Sequence, residues 1–95
     1  MGRTVLTFVI TYDIASPTIR RRVARYLEER MTRVQLSVFE ARMTVEAANR
    51  LFDALDVLIE DDDRLRMYAL NARGLEKSRA SGGAPLPEDG GWWLL

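Results

Sequence analysis

Hydrophobic and polar positions alternate through the first long segment of the chain, from Thr4 to Asp13. Leu6, Phe8, Ile10 and Tyr12 fall on one side, and Val5, Thr7, Val9 and Thr11 on the other. β-Branched and aromatic residues at this density predict a strand. The second side is milder, yet too apolar for bulk water, and so predicts a second packing surface. The same alternation puts Asp13 on that second side. It ends the strand just before a predicted helix, where open α/β sheets place ligands.

Ser16-Pro17 reads as an N-cap followed by proline at the first helical position. The helix it starts carries an apolar stripe through Ile19, Val23, Tyr26, Leu27 and Arg30, and Arg20, Arg21, Arg22, Arg25, Glu28 and Glu29 lie mostly off it. Since Ser16 supplies the cap, Asp13 is not needed for that role. Residues Thr32 to Met43 alternate again as strand, either one long strand or two shorter ones bent near Leu36-Ser37, with neither Gly nor Pro to mark a hairpin. Thr44 caps a second helix, Glu46 in its first turn suits the helix dipole, and Ala48, Leu51, Phe52, Leu55, Leu58 and Ile59 form its apolar stripe. After Glu60-Asp61-Asp62-Asp63, the segment Arg64 to Leu70 is a further strand.

From Asn71 the pattern dissolves. Residues 1–77 therefore read as the folded domain and 78–95 as a Ser, Gly and Pro-rich linker with a C-terminal tail, in which Trp92, Trp93 and Leu94 predict docking as a short strand on a sheet edge. The element order β-α-β-β-α-β, with two helices on one face of an antiparallel sheet, predicts an α+β, ferredoxin-like fold. The other sheet face, carrying Val5, Val9 and Asp13, is expected to be open. Self-pairing across it would bring two copies of Asp13 near a two-fold axis.

Composition narrows the chemistry. Ninety-five residues make one small domain with a limited core, which a partner subunit would help to stabilise. With no cysteine there are no disulfides or thiolate metal sites, and a reducing, cytoplasmic setting is compatible. With no histidine, the usual general base and every imidazole ligand are missing, so catalysis would use carboxylates, water and metal. No apolar run is long enough to span a membrane and no signal peptide is evident, which predicts a soluble, intracellular protein.

The formal net charge is zero, with 14 basic and 14 acidic residues. The average conceals a division: residues 1–43 hold eight arginines against four acids, and residues 44–95 six basic residues against ten acids. Thirteen of the basic residues are Arg, a type suited to bidentate contacts with phosphate; a GC-rich genome would give the same bias.

Three blocks carry a resemblance: Y-D-I at Tyr12 to Ile14, R-R-R-V-A at Arg20 to Ala24, and R-V-Q-L-S-V-F-E at Arg33 to Glu40. With the T-V-E helix start and the R-M-Y-A-L strand, they resemble the small CRISPR-associated protein family Cas2 over roughly Thr4 to Leu75. The resemblance implies a homodimer of ferredoxin-like subunits acting in spacer acquisition, held between dimers of the companion integrase Cas1. It also implies a magnesium-dependent endonuclease acting on RNA or double-stranded DNA. By the same resemblance the metal-binding aspartate falls on Asp13 with Tyr12 beside it as catalytic residues, the nucleic-acid-binding arginines on Arg20, Arg22 and Arg33, and supporting positions on Ser37 and Phe39.

Two Asp13 carboxylates, one per subunit, could hold magnesium, which favours oxygen ligands and keeps several waters. The alternative is an acid that merely ends its strand in solvent. The arginine run could likewise be a solvated helix face, and Phe39 is better read as core than as a base-stacking platform. Two functional readings stay open: a metal-dependent nuclease of CRISPR adaptation, and a non-catalytic dimeric scaffold that binds duplex DNA and the integrase. A toxin-like RNA-cleaving module is a third.

Overall fold

A computed structural model describes residues 4–83 and 86; the predicted docking residues Trp92, Trp93 and Leu94 lie outside these. The elements follow the order β1 (Val5–Asp13), α1 (Pro17–Glu28), β2 (Thr32–Gln35), β3 (Val38–Thr44), α2 (Val45–Asp56), β4 (Arg64–Leu70) and α3 (Ala72–Glu76). The strands make one sheet in the order β2-β3-β1-β4, antiparallel at every pairing. This is the predicted ferredoxin-like arrangement, with β1 central.

Local chemistry explains the helix starts. The Ser16 hydroxyl accepts from the Ile19 amide at 3.2 Å, with Pro17 in the first turn, and the Thr44 hydroxyl accepts from the Ala47 amide at 3.1 Å. Each bond satisfies an amide that the helix cannot use itself.

The two open questions about the middle of the chain resolve together. Residues 32–44 form two strands that turn at Leu36-Ser37, and no residue other than glycine has positive φ among those described. A two-residue hairpin without positive φ does not match strand twist on its own. The pairing register instead shifts between Arg33 and Gln35, and this irregularity absorbs the mismatch.

The main core lies between the sheet and α1 and α2. Ile10, Tyr12, Ile14, Val23, Leu27, Met31, Phe39, Leu51 and Leu55 are buried together there. Along β1 the register places Phe8, Ile10 and Tyr12 beside Ala41, Phe39 and Leu65, all on the helix side.

The opposite face departs from expectation. The sequence reading leaves it open, but α3 packs against β1 and β4, Thr7 is fully buried, and Leu75 is buried outside the main core. A five-residue helix is too short for a periodic pattern to announce it. Asn71 caps it, its side-chain oxygen accepting from the Gly74 amide at 2.8 Å. Residues 79–83 and 86 continue past Val34, Gln35 and Glu40. Glu40 is half-buried and its carboxyl pKa is raised above the ordinary glutamate value by desolvation.

Candidate nucleic-acid site at the end of the first strand

β1 delivers two neighbouring residues to different environments. Tyr12, on the helix side, is buried and stacks on Phe39 with ring centroids 6.3 Å apart. Its hydroxyl donates to the Leu36 carbonyl at 3.1 Å, and its amide donates to the Ser37 carbonyl at 3.2 Å. Both bonds fasten the β2–β3 turn to the end of β1. Asp13, one residue on, is exposed.

A cavity of about 370 Å³ opens here, lined by Tyr12, Asp13, Ile14, Arg20, Arg21, Ala24, Arg33, Leu36 and Ser37. Three separate elements thus meet at one acid: β1 brings Asp13, α1 brings Arg20 and Arg21, and the β2–β3 hairpin brings Arg33, Leu36 and Ser37. Arg20 holds the loop between β1 and α1, its Nη1 donating to the Ile14 carbonyl at 2.8 Å and the Ala15 carbonyl at 3.4 Å. The far side of the loop is held by Asp63, which accepts from the Ala15 amide at 3.3 Å and the Glu60 amide at 2.9 Å. Arg33 is placed by an ion pair to Glu28 at 3.4 Å and by its guanidinium 5.1 Å from the Phe39 ring centroid. That ion pair is partly exposed, so it orients Arg33 more than it stabilises the fold.

Of the residues singled out in the sequence, Asp13, Tyr12, Arg20, Arg33 and Ser37 line one cavity. Phe39 lies beneath it with no exposed surface, as core. Arg22 is exposed but does not line the cavity, and Arg21 stands there in its place. At about 100° per residue, a shift of one position turns a side chain to another flank of the helix, which the arginine run alone cannot reveal. Leu36 is the other residue the sequence reading missed. It is 83% exposed at the turn tip, an apolar residue at the cavity's rim.

The donor set suits a hard cation only in part. Among the described residues no group of three His, Cys, Asp or Glu could hold a metal ion. The carbonyls of Ile14 and Ala15 are taken up by Arg20, which leaves the Asp13 carboxylate as the anionic ligand of this loop. One carboxylate per chain fits an ion that keeps most of its water, or one shared with a second copy, and does not fit a closed protein cage. No helix of the described residues is long and apolar enough to cross a membrane.

Comparison with known proteins agrees with this fold. The family model for CRISPR associated protein Cas2 matches residues 6–78. A relative from Chloroflexus aurantiacus named CRISPR-associated endoribonuclease Cas2 1 is 39% identical over 83 residues, spanning 85% of this chain and 89% of the relative. Among solved structures, a hypothetical protein from Thermus thermophilus superposes with a TM-score of 0.75 at 30% identity, covering 90% of this chain and all of that one. A chain from a structure described as a partial Cas6-RT-Cas1–Cas2 complex superposes with a TM-score of 0.69 at 26% identity, covering 85% of this chain and 90% of that one.

Proposed function

Because the chain belongs to the CRISPR associated Cas2 family, we propose that it is an endonuclease of CRISPR adaptation that hydrolyses phosphodiesters of RNA or double-stranded DNA. The observation that carries this reading is the exposed Asp13 carboxylate at a cavity lined by Arg20, Arg21 and Arg33. Guanidinium groups draw in a phosphate and offset its charge, and they fix position without reading sequence. The relative's name, endoribonuclease, supports the same chemistry.

Within the site each residue has a distinct task. Arg21 and Arg33 face the phosphate, and Arg20 shapes the loop that presents Asp13. Tyr12, with its hydroxyl committed to Leu36, is a positioning residue that sets the hairpin tip against the acid. Asp13 orients the attacking water or holds a divalent cation. Magnesium, held by Asp13 and its copy in a second subunit, would acidify a bound water and offset charge on the phosphate. With no histidine in the chain, no imidazole competes for the base role. The working unit on this reading is a homodimer in the cytoplasm, alongside the companion integrase Cas1.

A second reading has its own support: the similarity to a chain from a complex that contains Cas1, and a single acid per chain at the site. On that reading the dimer is a scaffold for duplex DNA and integrase. The test compares wild type with Asp13→Ala for cleavage of RNA and duplex DNA with and without magnesium, and for spacer acquisition beside the integrase. Loss of cleavage supports the nuclease. Unchanged cleavage overturns it, and lost cleavage with intact acquisition makes the scaffold the cellular task.

A further inference from the structure

The pairing of β1 with β4 runs as far as Asp13 opposite Arg64. Two residues further on, the Ala15 amide finds its acceptor in a side chain: the Asp63 Oδ1 takes that bond at 3.3 Å. Asp63 directly precedes Arg64, so its carboxylate carries the contact between the two segments past the last backbone pair.

Asp63 is itself fixed. Its second oxygen, Oδ2, accepts from the Glu60 amide at 2.9 Å, and its own amide donates to the Glu60 carbonyl at 2.9 Å, which closes the turn from Glu60 to Asp63 in both directions. From the other side, the Arg20 Nη1 donates to the Ile14 and Ala15 carbonyls, and the Arg20 amide donates to the Ser16 carbonyl at 2.9 Å. Residues 14–16 are thus pinned between α1 and the turn before β4. Asp13, just ahead of them, is exposed, and among the described residues its carboxylate makes no hydrogen bond or ion pair. Its placement therefore comes from the backbone that carries it.

We propose that Asp63 is a positioning residue for the reaction at Asp13, fixing the peptide that follows Asp13 and so the direction in which the Asp13 carboxylate meets the phosphate. The inference rests on the nuclease reading above. Two N–H groups, from Ala15 and Glu60, converge on this one side chain, and a carboxylate has an acceptor oxygen for each. Asparagine has one, and would turn its NH₂ toward the other N–H. The contact to Ala15 is exposed, so it adds little to the stability of the fold; what it supplies is a fixed direction.

The test measures kcat and KM for magnesium-dependent cleavage of RNA and duplex DNA by the full chain, and hydrogen exchange at the Ala15 amide, in Asp63→Ala, Asp63→Asn and Asp62→Asn. Asp62 is exposed in the same turn, so its variant removes an equal charge and neither bond. Asp63→Ala is expected to exchange Ala15 faster and to lose roughly ten- to a hundredfold in kcat with KM within about twofold of wild type, the scale of misplacing a reacting group by about 1 Å. Asp63→Asn should fall between alanine and wild type, and Asp62→Asn should match wild type. A merely structural role would lower the melting temperature and leave kcat unchanged well below it. The inference is overturned if Asp63→Ala keeps its kcat while Ala15 exchanges faster, if Ala15 exchange does not change, or if Asp62→Asn loses as much kcat as Asp63→Asn. Should the alanine variant fail to fold, the asparagine pair decides. Loss of cleavage in Asp13→Ala but not in Asp63→Ala defeats this inference alone; wild-type cleavage in Asp13→Ala defeats the nuclease reading as well.

Discussion

The two rims of the sheet gather arginines in similar number, yet they are built differently. At the Asp13 rim, loops are tied by hydrogen bonds from Tyr12 and Arg20 and to Asp63, and a carboxylate stands among the guanidinium groups. At the other rim, Arg30, Arg42 and Arg50 line a gap between two helices, and Arg30 is ion-paired to Glu29 at 3.3 Å. On the proposed reading, this frame around one acid suits chemistry better than simple attachment. A reaction needs a negatively charged oxygen held to within a fraction of an ångström, and so a rigid frame. Holding a phosphate needs only charge within reach.

Four substitutions probe that contrast, in order of expected effect. Phe39→Ala removes the buried ring under the Asp13 rim and is expected to cost about 3–5 kcal/mol, read as a lower denaturation midpoint; a loss under about 1 kcal/mol would mean that the frame does not depend on this ring. Asp13→Asn keeps the shape and removes the charge. Cleavage should fall by roughly a hundredfold or more, the scale of losing an acid–base group, while the melting temperature and duplex affinity change little. A cleavage rate within twofold of wild type would leave the Asp13 rim a surface for attachment only.

Tyr12→Phe deletes the bond to Leu36 and leaves the ring stack. About 1 kcal/mol of stability is expected to go, together with a part of the cleavage rate and none of the duplex affinity, because the hairpin tip loosens next to Asp13. An equal loss of affinity would show that the tip serves attachment too. Glu40 gives the smallest effect. Burial raises its folded pKa, so the folded state holds this proton more tightly than the unfolded chain. Its contribution to stability is therefore full below the unfolded value and lost as pH rises through the folded one. Glu40→Gln should flatten the pH dependence of unfolding over the range just above ordinary glutamate titration, and an unaltered slope would place the source elsewhere.

Much of the architecture was legible residue by residue. Alternation gave β1 and β4, Ser16-Pro17 and Thr44 marked the helix starts, and Asp13 could be placed at a strand end. The turn at Leu36-Ser37 carried no glycine or proline, since a register shift between Arg33 and Gln35 does the work those residues would do. α3 escaped because five residues carry less than two helical turns of pattern. Arg21 and Arg22 were indistinguishable until the rotation of α1 about its axis was set by packing Val23 and Leu27 into the core.

By itself, then, the sequence determined β1, β4, the two long helices with their caps, and the one acid at the end of the first strand. These depend on side chains a few residues apart, whose preferences act before any distant contact forms. The tertiary structure alone decided that α3 covers the far face over Thr7 and that Tyr12 is committed to Leu36. It also decided that Arg21 rather than Arg22 meets Asp13 and that Arg30, Arg42 and Arg50 share a cavity. Each of these joins segments through the register of strands and the roll of a helix, which are fixed only when the whole core closes.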